Sequence, residues 1–338
     1  MRNSVVLSVQ SYSLLSDAGV LLEKQGVDRV WLSETPGRDA LMRAARVATS
    51  TSTIGVGTGI AYAFTRHPLA LAAAAIEAAE LSGGRFALGV GSGPLDFRRS
   101  MGVVFDRPAT RLGEYLALVR QAIRTDGGVE FDGEFYQTTL ERFGTSVPVD
   151  SRRKIKVFGS GMSPASLRAV ARSADGIALH PLASYLPHLE DTVLPNVRAV
   201  EGARNVELAS WCVASIDPDG AAALAQARAR LAQYLSIPAL AAPFEKTRWA
   251  PDLAALQAAA PSHSGRPDWS ALAVHVPEQL VDELAIVGTP DEARDKLAQR
   301  RVELEQRGID EVVLQMAAFG GSDAELLGQI ELLGAAVG

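Results

Sequence analysis

Three short glycine clusters follow apolar, strand-like runs: Gly57-Thr58-Gly59-Ile60-Ala61, Gly89-Val90-Gly91-Ser92-Gly93-Pro94 and Phe158-Gly159-Ser160-Gly161. Glycine lets a backbone approach a flat or anionic ligand closely and reach positive φ. One such cluster asks for no more than a tight turn, whereas three on the same face of a fold point to a shared ligand. The second is not a dinucleotide fingerprint, which needs a third glycine three positions past the second and a helix opening at once. Pro94 stands there instead, and the next helix starts only near Pro108. The third cluster leads into Ser163 and Pro164, a cap and a first-turn proline. Free N–H groups and the helix dipole favour an anion at such a start; an ordinary strand-to-helix turn is the equal alternative.

Ser33, Glu34 and Thr35 follow the second strand, with Asp39 close behind. A carboxylate there can accept a hydrogen bond from a ring N–H, or act as acid or base if its pKa is raised; a solvated loop acid is the alternative. His180 directly follows the sixth strand and is a candidate for the pocket wall, while His67 before Pro68 reads equally as a helix-start residue. No two histidines stand at the i, i+4 spacing of a helical zinc site. No Gly-x-Ser-x-Gly elbow opens a helix, since Gly91-Ser92-Gly93 runs into proline, so a serine hydrolase is unsupported. The single cysteine, Cys212, lies in the apolar run Leu208 to Val213 and reads as a buried small hydrophobe.

The elements that position these residues alternate between strand and helix, the signature of βαβ units and a parallel sheet. Strands are expected at 5–9, 29–33, 53–60, 85–90, 154–158, 176–179, 206–216 and 311–316. Helices open at Pro68, Pro108 and Pro164, and at Thr289-Pro290 with Glu292 completing a capping box. A small hairpin is expected over 127–137, around Asp132-Gly133. Eight strands favour an α/β fold of the closed (β/α)8 barrel type over an open doubly wound sheet, which puts the site at the strands' C-terminal ends. The chain reads as one domain over 1–338. An Ala- and Pro-rich insertion of helices and loops at about 217–283 caps the mouth; with His263, Arg266 and Asp268 among its polar residues, it is expected to suit a moderately apolar substrate.

Composition agrees. Apolar residues make up 47% of 338, and the formal charge is −6 with scattered Lys and Arg. That balance leaves no footprint for nucleic acid or an anionic membrane. Met1 to Val9 has no signal-peptide apolar region, and Leu69 to Ile76 is far shorter than the roughly 20 residues of a membrane span. These features suit a cytoplasmic enzyme acting on a small-molecule substrate.

The run from Gly57 to Gly93, with Arg66-His67-Pro68, Leu81-Ser82-Gly83-Gly84-Arg85-Phe86 and Leu88-Gly89-Val90-Gly91-Ser92-Gly93, resembles the luciferase-like flavin-dependent oxidoreductases. It is most similar to their branch using the deazaflavin coenzyme F420. Val30-Trp31-Leu32-Ser33-Glu34-Thr35, Gly128 to Gly133, Ala174-Asp175-Gly176, Val287 to Pro290 and Gly308 to Val313 agree. The resemblance implies a (β/α)8 barrel with the tricyclic ring in its mouth. It implies a non-prolyl cis peptide at Gly59-Ile60 pressing on one ring face, with Gly91, Ser92 and Gly93 near the ring or its side chain. Gly159, Ser160 and Gly161 would hold the phosphate, and Glu34 stands where an acidic residue contacts the ring. Sugar-phosphate dehydrogenases of this branch carry His and Glu where this chain has Thr35 and Pro94, so glucose 6-phosphate oxidation is not expected, nor light emission.

The expected activity is hydride transfer between coenzyme F420 and an unidentified organic substrate, in a homodimer as is common among relatives. An FMN-dependent monooxygenase on the same barrel and a flavin-binding paralogue without turnover are the alternatives.

Overall fold

The computed structural model describes residues 1–9, 11–103, 106–202, 205–260, 267–318 and 320–337. His263 and Arg266 lie outside the described residues. Eight parallel strands close on themselves: β1 (Arg2–Leu7), β2 (Arg29–Leu32), β3 (Gly55–Thr58), β4 (Phe86–Gly91), β5 (Lys156–Ser160), β6 (Gly176–Leu179), β7 (Glu207–Ile216) and β8 (Glu311–Met316). Ala178 pairs with Ala209 across β6 and β7, Trp211 with Val313 across β7 and β8, and Val5 with Leu314 where β8 returns to β1. The fold is the expected (β/α)8 barrel, with strands where the apolar runs placed them.

Around it stand α1 (Tyr12–Lys24), α2 (Ala40–Ser50), α3 (Pro68–Leu81), α4 (Pro108–Arg124), α5 (Pro164–Ser173), α6 (Gly220–Leu235), α7 (Pro290–Gln306) and α8 (Asp323–Val337). The capping box at Thr289 and Glu292 is present, and Asp39 caps α2 through the Leu41 and Met42 amides. On α2 the core face is carried by Leu41, Ala44, Val47 and Ala48. The hairpin sits slightly later than expected, Val129–Asp132 against Gln137–Leu140, so four residues rather than Asp-Gly alone make the turn. No helix among the described residues is long and apolar enough to cross a membrane.

The strands are buried on both faces, which is why they read as continuous apolar runs. Val6, Trp31, Ala87, Phe158, Ala178, Ala209, Trp211 and Val313 fill the lumen, while alternate residues pack against the helices. Trp31 is fully buried at the centre, 5.3 Å from Trp211 and 5.4 Å from Phe158 between ring centroids. Strand β3 makes the space for it. Gly57 faces inward, and a Cβ there would lie 2.8 Å from the Trp31 ring; at Gly59 it would lie 2.9 Å from Trp31 Cβ and 3.1 Å from Trp211 Cζ2.

At the N-terminal end the strands are stitched in pairs by charged side chains. Asp28 accepts from Asn3 N (2.7 Å), tying β1 to β2. Arg85 donates to Ala48 O and Thr51 O (both 3.0 Å), holding the turn into β3 against β4. Asp175 accepts from Val157 N (3.0 Å) and Asp310 from Leu208 N (2.8 Å), tying β5 to β6 and β7 to β8. Inside, the fully buried Glu311 accepts from Ser4 Oγ (2.6 Å), Trp31 Nε1 (2.7 Å), Arg29 (2.8 Å) and Arg2 (3.1 Å). A buried carboxylate is tolerable only when paired and hydrogen-bonded in this way.

One feature, an extra strand, lay outside the sequence reading, while the helical insertion was expected. A ninth parallel strand, Ala285–Gly288, runs beside the upper half of β7, where β6 has already ended. The insertion is helical: α6 is followed by short helices at Pro238–Ala241, Ala250–Ala259, Trp269–Leu272 and Glu278–Leu284. These form a second apolar cluster with Leu182, Tyr185, Val213 and Ala317, residues at or beyond the C-terminal ends of β6, β7 and β8. They therefore cover that side of the mouth.

Candidate active site

Above the Trp31–Trp211–Phe158 layer, one more turn of alternation brings Gln315 of β8 and His180, just past β6, to the lumen side. Both keep partial exposure, unlike the strand residues beneath. Tyr234 reaches them from α6: Gln315 Nε2 donates to its hydroxyl at 2.6 Å, and its ring meets the His180 ring edge-on with centroids 4.8 Å apart. Arg230, one helical turn earlier, donates to Ala317 O (3.0 Å), Ala318 O (2.7 Å) and Gln233 Oε1 (2.8 Å), fixing α6 to the end of β8. His180 thus stands on the lumen side at the mouth, with Tyr234, Gln315 and Arg230 as neighbours that sequence reasoning missed. Gln315 left a signal, a polar residue at an inward position of an apolar strand. Tyr234 left none, because its role depends on where α6 docks.

His180 Nδ1 accepts from Leu182 N at 3.2 Å, capping the turn after β6. Burial pushes its pKa down to about 4, so the ring is neutral and its proton sits on Nε2. Burial likewise raises the Tyr234 phenol, against the opposing pull of Arg230 and the Gln315 hydrogen bond.

Glu34 occupies a closed position rather than an open one. Its side chain is 7% exposed and pairs with Arg66 at 2.8 Å, which also reaches Asp39 at 3.0 Å. Its other oxygen, Oε2, is buried with no hydrogen-bond partner among the described residues. Burial raises the carboxyl pKa, opposed by Arg66. The solvated-acid reading is therefore overturned.

The Gly59–Ile60 peptide bond is cis, as the resemblance implied. Ile60 O accepts from Glu34 N (3.2 Å) and Gly59 N donates to Leu32 O (2.9 Å), so this segment joins the strand-two loop to the mouth. The glycines themselves prove to be packing positions for this chain's own side chains. A Cβ on Gly91 would overlap the Ile60 side chain and come within 3.2 Å of Ser160, and on Gly93, at φ +71°, it would lie 2.9 Å from the Tyr62 ring. Gly159 faces away from the lumen, where a Cβ would lie 2.5 Å from Val170 and 2.8 Å from Leu116 on the helices. At Gly161 it would meet Ser166 Oγ at 3.0 Å. Ser166 Oγ already takes the Met162 and Ser163 amides, at 3.1 and 3.0 Å. The helix start is thus capped internally, with the two amides that follow Gly161 already taken. His67 serves as the cap of α3, accepting from Leu69 N.

Comparison with known proteins decides the lineage. The family model for luciferase-like monooxygenases matches residues 2–310. The chain belongs to this family. Among luciferase-like relatives, a Mycobacterium tuberculosis protein named provisionally as a coenzyme F420-dependent oxidoreductase is 29% identical over 297 residues, 82% of this chain and 84% of that one. The fold matches the coenzyme F420-dependent tetrahydromethanopterin reductase of Methanopyrus kandleri, with TM-score 0.76 and 21% identity over 99% of this chain and 98% of that one. It also matches the monooxygenase RslO1 of Streptomyces bottropensis, with TM-score 0.68 and 20% identity over 99% and 98%.

Does this luciferase-like mouth suit a planar redox ring? Half-exposed segments at Gly59–Ile60, Ser92–Gly93 and Ser160 end adjoining strands above an indole floor. The orphaned Glu34 Oε2 is the kind of acceptor that a ligand N–H satisfies. The residues present fit a ring, while the anchor for an anionic tail is less fully built than the sequence suggested. No cluster of metal-ligating side chains occurs among the described residues. A separate cavity of about 640 Å³ opens on the outer wall, between Tyr185–Glu190, the Ala285–Gly288 strand and α7. Its cations are matched by acids, Lys296 with Asp282 and Arg307 with Glu190, and it holds none of the residues above. We place the chemistry at the mouth.

Proposed function

We propose that this protein transfers a hydride between coenzyme F420 and a small organic substrate. The carrying observation is the ring of half-exposed strand ends, Gly59–Ile60, Ser92–Gly93 and Ser160, over the Trp31–Trp211 floor. The name of the mycobacterial relative supports the choice of coenzyme. In this reading Gly59, Ile60, Gly91, Ser92 and Gly93 hold the ring, and Gly159, Ser160 and Gly161 border its tail. Bound deazaflavin supplies the hydride and its two electrons; the protein supplies position and electrostatics. Glu34 holds a carboxylate beside the strand-two loop, braced by Arg66. The helices after β7 exclude water from the side where substrate enters, as one domain with the barrel. The protein acts as a homodimer, for which light scattering should return twice the chain mass.

The family description and the fold shared with RslO1 favour an FMN monooxygenase as the second reading. Titration separates the two. Oxidised coenzyme F420, followed by its own fluorescence, should bind saturably and more tightly than FMN. Tight FMN binding without deazaflavin affinity overturns the proposal.

A further inference from the structure

Resting on that reading, we propose that Tyr234 and His180 form a donor pair that grips a carbonyl oxygen. The substrate is then a neutral carbonyl compound, or the alcohol that forms from it.

The argument is geometric. Tyr234 Oη accepts its hydrogen bond from Gln315 Nε2 at 2.6 Å, and no carbonyl or carboxylate is recorded as accepting from its hydroxyl. Its proton is therefore available to a ligand. His180 spends Nδ1 on Leu182 N, and its Nε2–H meets no acceptor among the described residues while the residue keeps accessible surface. The two donors sit on rings that meet edge-on, 4.8 Å between centroids, on the lumen side of β6 and β8. Burial keeps both groups uncharged across the neutral range, the histidine down to about pH 4 and the phenol through its raised pKa. The described cation nearest the pair, Arg230, is committed to Ala317 O, Ala318 O and Gln233. The pair thus offers neutral donors beside a guanidinium that Tyr234, the β8 end and Gln233 already engage. A neutral acceptor oxygen is what such a site recognises.

The chemistry balances. A hydride arriving at the carbonyl carbon forms the new C–H bond and breaks the C=O π bond. The π electron pair moves to oxygen, which takes the proton from Tyr234 Oη. The ketone becomes an alcohol, and the two electrons come from the reduced deazaflavin, which is oxidised. Gln315 N–H and the neighbouring Arg230 steady the phenolate until water at the mouth returns the proton.

The test is a titration of cofactor-free protein with cyclohexanone, followed by tryptophan fluorescence from the Trp31–Trp211 floor and by ligand-observed NMR. Cyclohexanecarboxylate serves as the anionic control. Tyr234→Phe removes one donor. His180→Asn removes the other while keeping an acceptor for Leu182 N, and thermal melts show whether each variant folds. Each variant should weaken cyclohexanone binding about tenfold, the usual consequence of losing a buried hydrogen-bond donor, and the carboxylate should bind worse than the ketone. Unchanged ketone affinity in both folded variants, or tighter binding of the carboxylate, overturns the pair. Coenzyme F420 affinity, measured separately on the same proteins, should not move. Its absence in the wild-type protein would instead sink the proposed function, and a distinct ketone result would show which of the two had failed.

Discussion

At the N-terminal end of the barrel, Glu311 takes hydrogen bonds from four different side chains. At the C-terminal end, Glu34 pairs with Arg66 through one oxygen and leaves the other buried and unpartnered. The contrast extends to other groups. Below, burial works to raise Glu23, but the Thr53, Ile54 and Ser52 amides together outweigh it and pull its pKa down to about 2. Glu207 is also lowered, since Lys156 and Arg2 outweigh its burial. Above, Glu34 is raised because burial outweighs Arg66. One end of the barrel is organised to hold the strands together; at the other, Glu34 Oε2 stays buried without a hydrogen-bond partner among the described residues. That division is the one expected where stability resides at the bottom of a barrel and chemistry at the top.

The comparison is open to attack by substitution. Glu311→Ala should have the largest effect, since it leaves two arginines and an indole N–H without their buried acceptor. A loss of about 3–5 kcal/mol in urea unfolding is expected; a loss below about 1 kcal/mol would show that the bottom network is not a structural keystone. Gly89→Ala comes next, because a Cβ there would overlap the Thr58 carbonyl, which is backbone and cannot swing aside. The expected cost is about 1–3 kcal/mol. Gly91→Ala pushes instead on the Ile60 side chain, and should change coenzyme affinity more than melting temperature.

The two ends should also respond to pH with opposite sign. A carboxyl lowered in the folded state stabilises above its unfolded pKa and loses that contribution as pH falls through the folded value. For Glu23 the window runs from the ordinary 4.5 down to about 2, so Glu23→Gln should flatten this acid limb in melts taken across that range. A raised carboxyl does the reverse: its contribution is present at low pH and is lost as pH rises through the folded value. Glu34→Gln should therefore cost little at pH 7, within about 1 kcal/mol of wild type, because it removes a charge the site disfavours. A loss as large as that of Glu311→Ala would erase the distinction between the two ends.

Much of the barrel was legible in the sequence because burial on both faces writes strands as unbroken apolar runs, and because prolines and capping residues mark helix starts. Ala285–Gly288 was missed: an apolar run of that length gives no sign that it extends a wall beside β7. The glycines are positions of close approach, and at several of them the space a Cβ would fill is taken by this chain's own side chains. Trp31 occupies the space that Gly57 leaves, Ile60 that of Gly91, and Val170 with Leu116 that of Gly159. A sequence shows that a side chain is missing; only the fold shows what fills the gap. Tyr234 and Gln315 lie far apart in the chain, and their hydrogen bond exists only once α6 has packed over β8.

The most direct test of the account is a crystal structure of the protein with oxidised coenzyme F420. The tricyclic ring should lie in the mouth over Trp211, between Ile60 and Ser160, with His180 and Tyr234 facing the side left for substrate. A ring found instead in the outer cavity beside Lys296 and Arg300, with the mouth unchanged, would contradict it.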